Sequence, residues 1–162
     1  MIGARRLPVG DLFVGRAPAQ LSIHGLGSCV ALFVHDDTSG IGGLAHVLLP
    51  APTTTGENIA APGRYATTAV AGLVEGAIRL GAGAARLRAR LAGGARMFAC
   101  DQASNRETVG DRNVAAILHA LGVAGIAVTA IDVGGHRGRS VVADLADGTL
   151  TIRMLGGVTR TI

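Results

Sequence analysis

Many short strands and two amphipathic helices, joined mostly by hairpins, predict an α/β (α+β) fold for this 162-residue chain. Three observations carry that expectation. Apolar runs are broken by turn chemistry, as at His35-Asp36-Asp37-Thr38-Ser39-Gly40 and Asp147-Gly148. Two segments, 66–80 and 111–121, repeat apolar residues at helical spacing. Leu87, Ala89 and Leu91 alternate with Arg86, Arg88 and Arg90, the period of a strand with one wet face.

The elements follow in order. Residues 7–14 make a first strand, interrupted by Pro8 and Gly10, and 19–23 lead into a tight corner at Gly25-Leu26-Gly27-Ser28. Residues 29–34 are β-branched and aromatic, and after the turn 41–49 return as an apolar strand halted by Pro50. The stretch 51–63, with its Pro, Thr and Gly content, is the longest expected loop. In the first helix Val70, Leu73, Val74, Ala77 and Ile78 share a face, Thr67 or Thr68 can cap the start, and Gly81 can end it. In the second, Val114, Ile117, Leu118 and Leu121 point inward and Gly122 is the stop. A strand over 126–131 and a hairpin of 140–145 with 149–154 complete the chain. Most connections are hairpins, with at most a little parallel pairing. No repeat, linker or low-complexity block divides residues 1–162, so one domain is expected.

Composition narrows the function. The chain is 49% hydrophobic and 16% charged, with mean hydropathy +0.44, which excludes intrinsic disorder. Aromatics are 2% (Phe13, Phe33, Tyr65, Phe98), too few to build stacking platforms for single-stranded nucleic acid. The net charge of +4 comes entirely from Arg over acid, with no Lys and no basic run, so nucleic acid is not an expected partner. The Arg86/Arg88/Arg90 stripe is expected to be a solvated strand face. No secretory leader is visible in 1–15, and the uncharged stretch 113–131 reads as helix then strand rather than a membrane span. A cytoplasmic location without membrane insertion is the expectation.

The chemistry centres on one hairpin. With its turn between Asp37 and Thr38, Cys29 is placed opposite His46, Ala31 opposite Leu44, and Phe33 opposite Gly42. Opposed side chains share a sheet face, so a thiol and an imidazole are brought together. Such a pair can become a thiolate–imidazolium couple. The glycine corner at Gly27-Ser28 offers uncovered backbone N–H groups of the kind an oxyanion hole requires. From these residues alone a second reading stays open, in which Cys29 is a small buried hydrophobe and His46 a satisfied core histidine. Cys29 and Cys100 belong to no zinc spacing, and Cys100 has no neighbouring His. His24, His35, His119 and His136 show no ligand pattern; no metal or cofactor is expected. Ser28 lacks the Gly-x-Ser-x-Gly order of a nucleophile elbow. Gly93-Gly94 and Gly134-Gly135 read as tight backbone corners rather than phosphate loops.

At these residues the chain resembles the CheD family, the chemoreceptor glutamine deamidases of bacterial chemotaxis. The matching text is Gly25-Leu-Gly-Ser-Cys-Val-Ala-Leu, Gly43-Leu-Ala-His-Val-Leu-Leu-Pro50, Gly63-Arg-Tyr-Ala-Thr-Thr-Ala, Gly93-Gly-Ala-Arg-Met97, Gly110-Asp-Arg-Asn113 and Asp132-Val-Gly-Gly-His-Arg-Gly-Arg-Ser-Val141, in the family's order. The resemblance implies a layered sandwich of mixed and antiparallel sheets with two helices covering one side, a cysteine-hydrolase-like deamidase fold. It implies Cys29 as nucleophile and His46 as general base, with no cofactor. Where the family places a Thr as third member this chain has Ile23, whose main-chain carbonyl could orient the ring instead. The implied substrates are Gln side chains on the cytoplasmic helical bundle of methyl-accepting chemoreceptors. The alternative that it implies is a regulatory protein, weakly active or inactive, that binds a CheC-type phosphatase.

Overall fold

The computed structural model describes residues 3–53, 61–98 and 105–162, so Cys100 and part of the expected long loop lie outside the described residues. Its strands are β1 (Arg5–Arg6), β2 (Leu12–Arg16), β3 (Gln20–Leu26), β4 (Val30–Asp36), β5 (Ile41–Val47), β6 (Arg88–Gly93), β7 (Ala127–Val133), β8 (Arg139–Asp144), β9 (Leu150–Met154) and β10 (Thr159–Thr161). The helices are α1 (Ala66–Leu80) and α2 (Val109–Ala124), with a 3-10 turn at Ala84–Arg86. The inner sheet has the order β2-β5-β4-β6-β7 and the outer sheet β1-β3-β8-β9-β10. Pairing is antiparallel except for β6 with β7 and β1 with β3.

Two apolar layers hold these parts together. Val30, Leu32 and Val34 of β4 pack with Ala45 and Val47 of β5 against Val70, Leu73 and Ala77 of α1 and Ile117 and Leu121 of α2. The alternate residues Ala31, Phe33 and Leu44 face the outer sheet, where they meet Leu21, Ile23, Val141, Ala143 and Ile152. The layered α/β sandwich with helices on one side, as expected, follows from this strand alternation.

Several local expectations are corrected. The expected strand 7–14 is a crossover followed by a strand: β1 ends at Arg6 in the outer sheet and β2 begins only at Leu12 in the inner one. Pro8 lacks an N–H, and Gly10, at φ 83, takes a left-handed conformation that carries the chain across. The β4–β5 register differs by two residues: Ala31 pairs with His46, Phe33 with Leu44 and His35 with Gly42. The turn centres one residue later than expected, between Thr38 and Ser39, where Asp36 organises it, its carboxylate accepting from the Thr38 N–H at 3.0 Å and the Ser39 hydroxyl at 2.8 Å. Helix α1 has the expected span but no side-chain cap; Thr68 donates back to the Pro62 and Tyr65 carbonyls. Helix α2 starts earlier, at a capping box between Thr108 and Asp111, and runs through Gly122 to a left-handed Gly125.

The Arg stripe is not simply solvated. Arg86 grips the buried Asp36 with Nε at 3.0 Å and Nη2 at 2.8 Å, and the Gly83 N–H adds a contact at 2.9 Å. Arg86 and these surrounding donors hold the Asp36 carboxyl well below the usual carboxylate range. Its ionised form therefore stabilises the fold above about pH 4, and that contribution is lost as pH falls through the lowered folded value. Asp36→Ala should destabilise by about 3 kcal/mol at neutral pH, since several buried donors lose their acceptor. Urea unfolding at a series of pH values checks this: the difference from the parent protein should shrink only in strong acid.

Candidate active site

The corner before β4 is held by its carbonyls. Gly27 accepts from the Ala95 N–H at 2.8 Å, Ser28 from the Asn113 side chain at 3.1 Å, and Cys29 from the Gly94 N–H at 2.9 Å. Among the described residues, no hydrogen bond engages the N–H groups of Gly27 and Ser28. The close approach requires glycine at 93: a β-carbon there would lie 2.3 Å from the Cys29 carbonyl oxygen. Gly93-Gly94 is thus a tight backbone corner, both residues having positive φ.

Cys29 sits half-buried at the start of β4 and packs on the layer between the sheets. His46 lies on β5 in step with Leu44, which faces that same layer. The two-residue shift in register preserves the face and changes the relation, so Cys29 and His46 are diagonal rather than directly opposed neighbours. Ile23 places its side chain in this layer too, fully buried.

The crossover from β1 to β2 wraps the histidine. The His46 N–H donates to the Asp11 carbonyl at 3.0 Å, and its carbonyl accepts from Gly10 at 2.9 Å. The ring Nδ1 faces the Leu7 carbonyl at 3.3 Å. A carbonyl can only accept, so Nδ1 carries the proton and Nε2 keeps its lone pair. The carbonyl that the ring meets here is that of Leu7, not the Ile23 carbonyl that the sequence suggested. Nothing in the sequence points to Leu7, because the contact spans 39 positions and depends on the chain crossing between sheets. A bulge between Ile23 and Leu26 also brings His24 to the cleft lined by Arg6, Leu7, Pro8, Val9 and His46, where a regular strand would turn it away.

The electrostatics favour a neutral resting pair. Burial pushes the Cys29 thiol up, opposed by its own backbone N–H. Burial pushes His46 down, opposed by the Leu7 and Pro8 carbonyls. A preformed thiolate–imidazolium couple is thus not the resting form. Of the other histidines, His35 is buried and bonded to Asp37 and the Leu145 carbonyl, a structural role. Among the described residues, no group of three or more His, Cys, Asp and Glu could hold a metal ion. No helix there is long and apolar enough to cross a membrane.

Comparison with known proteins decides the family. A family model described as CheD chemotactic sensory transduction matches residues 48–154, most of the chain. The chain belongs to the CheD family. It is 41% identical over 148 residues to the probable chemoreceptor glutamine deamidase CheD of Methanococcus vannielii, spanning 91% of this chain and 93% of that protein. It is likewise 41% identical over 149 residues to the chemoreceptor glutamine deamidase CheD of Thermotoga maritima, spanning 92% of this chain and 90% of that one. A crystal structure of the Bacillus licheniformis hypothetical protein YfiH overlaps 81% of this CheD chain and 58% of its own at TM-score 0.43 and 16% identity, a slight likeness.

The neutral pair has a kinetic signature in this CheD protein. Alkylation of Cys29 by iodoacetamide should still be rising at about pH 9, above the ordinary thiol value, instead of levelling off near neutrality. Peptide-resolved labelling rates across that pH range check it.

Proposed function

We propose that the protein hydrolyses Gln side chains of chemoreceptors to Glu, with Cys29 as nucleophile and His46 as general base. What carries the assignment is the placement of both residues on one face at the ends of adjacent strands, with the His46 ring turned by Leu7. The names of the relatives supply the substrate class. The site lies at the edge of the apolar layer between the two sheets, and a cleft of Arg6, Leu7, Pro8, Val9 and His24 reaches His46, which suits a side chain presented by a folded partner. Its natural partner is the cytoplasmic helical bundle of a methyl-accepting receptor, which puts the protein in the cytoplasm.

The mechanism follows from the neutral pair. His46 Nε2 takes the thiol proton as sulfur attacks the Gln carboxamide carbon, so no ion pair need be stored beforehand. The N–H groups of Gly27 and Ser28 receive the oxyanion. The imidazolium returns its proton to the departing nitrogen, ammonia leaves, and a thioester remains on Cys29. Water reaches the thioester through the cleft of Arg6, Leu7, Pro8, Val9 and His24, and is deprotonated by His46. Collapse of the second tetrahedral intermediate frees Glu and restores the thiol. The net reaction is Gln plus water to Glu plus ammonia, with no redox change and no cofactor.

Mass spectrometry of a receptor cytoplasmic fragment should show a gain of about 1 Da per modified Gln. Cys29→Ala should abolish that gain, and His46→Ala should slow it about 10²–10⁴-fold. Retention of activity by Cys29→Ala would overturn the assignment.

A second reading is favoured by one observation: Ile23 brings an apolar side chain where the family usually has Thr. On that reading the chain chiefly binds a CheC-type phosphatase and turns over slowly. The Leu7 carbonyl argues against it, since it already performs the orienting task. Ile23→Thr should therefore change kcat less than about twofold, short of the gain a new orienting hydrogen bond would bring. It should also lower stability by about 1–2 kcal/mol, by placing a hydroxyl in the apolar layer. Paired rate and melting measurements on both proteins check it. An inactive parent that binds the phosphatase tightly would favour the regulator.

A further inference from the structure

The motif Gly110-Asp-Arg-Asn113 has no role in the chemistry above, yet its last residue reaches the site. Asn113 lies on the stripe of α2 that includes Ile117 and Leu121, and it is fully buried. Its Nδ2 group donates to the Ser28 carbonyl at 3.1 Å and to the Leu48 carbonyl at 2.9 Å. Only the nitrogen end of the amide can serve two carbonyls, so its orientation is fixed. The other end, Oδ1, is buried without a hydrogen-bond partner among the described residues. A polar side chain kept in an apolar stripe with one end unsatisfied calls for an account in terms of what the other end does.

The two carbonyls flank the site. Ser28 precedes Cys29, and Leu48 follows His46 by two. The β4–β5 ladder ends at Val30 with Val47; beyond it the N–H groups of Leu48 and Leu49 turn away to the Arg64 carbonyl. Cys29 and His46 are thus diagonal neighbours at an end where the ladder no longer sets the strand separation. Of the three corner carbonyls, those of Gly27 and Cys29 are held by backbone N–H groups, and that of Ser28 by Asn113. The helix start is anchored to the same loop. A β-carbon on Gly110 would lie 2.6 Å from the Gly94 oxygen, and Arg96 pairs with Asp111 at 3.0 Å.

We infer that Asn113 is a positioning residue, its amide tying the Ser28 carbonyl to the Leu48 carbonyl and so fixing the approach of the Cys29 sulfur to the His46 ring. The inference rests on the Cys29/His46 assignment. It makes α2 part of the catalytic apparatus as well as a cover for the inner sheet.

The test is a cycle of four proteins in a Cys100→Ser background: parent, His46→Gln, Asn113→Ala, and the double variant. Deamidation of a receptor fragment and iodoacetamide labelling of Cys29 are measured on each. Asn113→Ala should lower kcat about 10–100-fold with KM within about threefold, the pattern of a residue acting on the chemical step. His46→Gln should slow labelling in the parent and change it less than about twofold once Asn113 is removed, because the two residues act through one geometry. Asn113→Ser, which keeps one donor, should recover part of both effects.

A folded Asn113→Ala with kcat within about twofold of the parent and full dependence on His46 would overturn the inference. Should Asn113→Ala fail to fold, Asn113→Ser decides by the same two criteria. Turnover by Cys29→Ala would overturn the underlying assignment and this inference with it, whereas an inactive Cys29→Ala beside a fully active Asn113→Ala overturns the clamp alone.

Discussion

Strand β4 is buried along its entire length, and that constraint shapes the rest of the molecule. A strand buried on both faces needs two apolar covers, here the helices over Val30, Leu32 and Val34 and the outer sheet over Ala31 and Phe33. With so few aromatic residues available, the layer between the sheets is filled mainly by Leu, Ile and Val, with the small Ala31, Ala92 and Ala143 interleaved and Phe33 as a fully buried aromatic. Such a strand can expose chemistry only at its ends. At one end Asp36 collects Arg86, Gly83, Thr38 and Ser39 into an ionic knot; at the other stand Cys29 and the glycine corner.

The architecture was legible because it rests on periodicity. Alternation along 29–34 and 41–49, helical spacing in 66–80, and Asp147-Gly148 turn chemistry are local properties of the chain, and α1 has the span they predict. The face shared by Cys29 and His46 was legible for the same reason: strand parity survives a two-residue slip where a one-residue slip would have destroyed it. The register itself was not, because the position of the turn depends on Asp36 bonding to Thr38, Ser39 and the distant Arg86. The end of α2 was missed because Gly122 meets nothing a β-carbon would strike and is tolerated inside the helix, while Gly125 alone turns left-handed.

What was not legible in the site is what the chain brings from far away. The Leu7 carbonyl reaches His46 because Pro8 and Gly10 send the N-terminal segment from one sheet to the other. Asn113 reaches Ser28 and Leu48 from 85 and 65 positions along. A trace of the second was present in the sequence, an amide four residues ahead of Ile117 on an otherwise apolar stripe. A polar residue in line with a core stripe has a partner to find, but the pattern does not say which.

Keeping the pair neutral has a chemical consequence. Arg96, which follows the Ala95 that holds this corner, is paired with Asp111 on the helix start and figures in neither the thiol's nor the imidazole's shift. Among the described residues no cation enters the thiol's shift, so burial dominates and the resting sulfur stays protonated. A thiol of raised pKa gives fewer thiolates at neutral pH, but each is a stronger nucleophile, since nucleophilicity falls as pKa falls. Attack on an unactivated amide gains from that strength, provided a base stands ready to take the proton as the bond forms. In the proposed mechanism His46, held neutral by burial and turned by Leu7, meets that condition. The same protonated resting thiol resists oxidation, which follows thiolate character. Reactivity is then called up by the substrate in place rather than standing open to solvent.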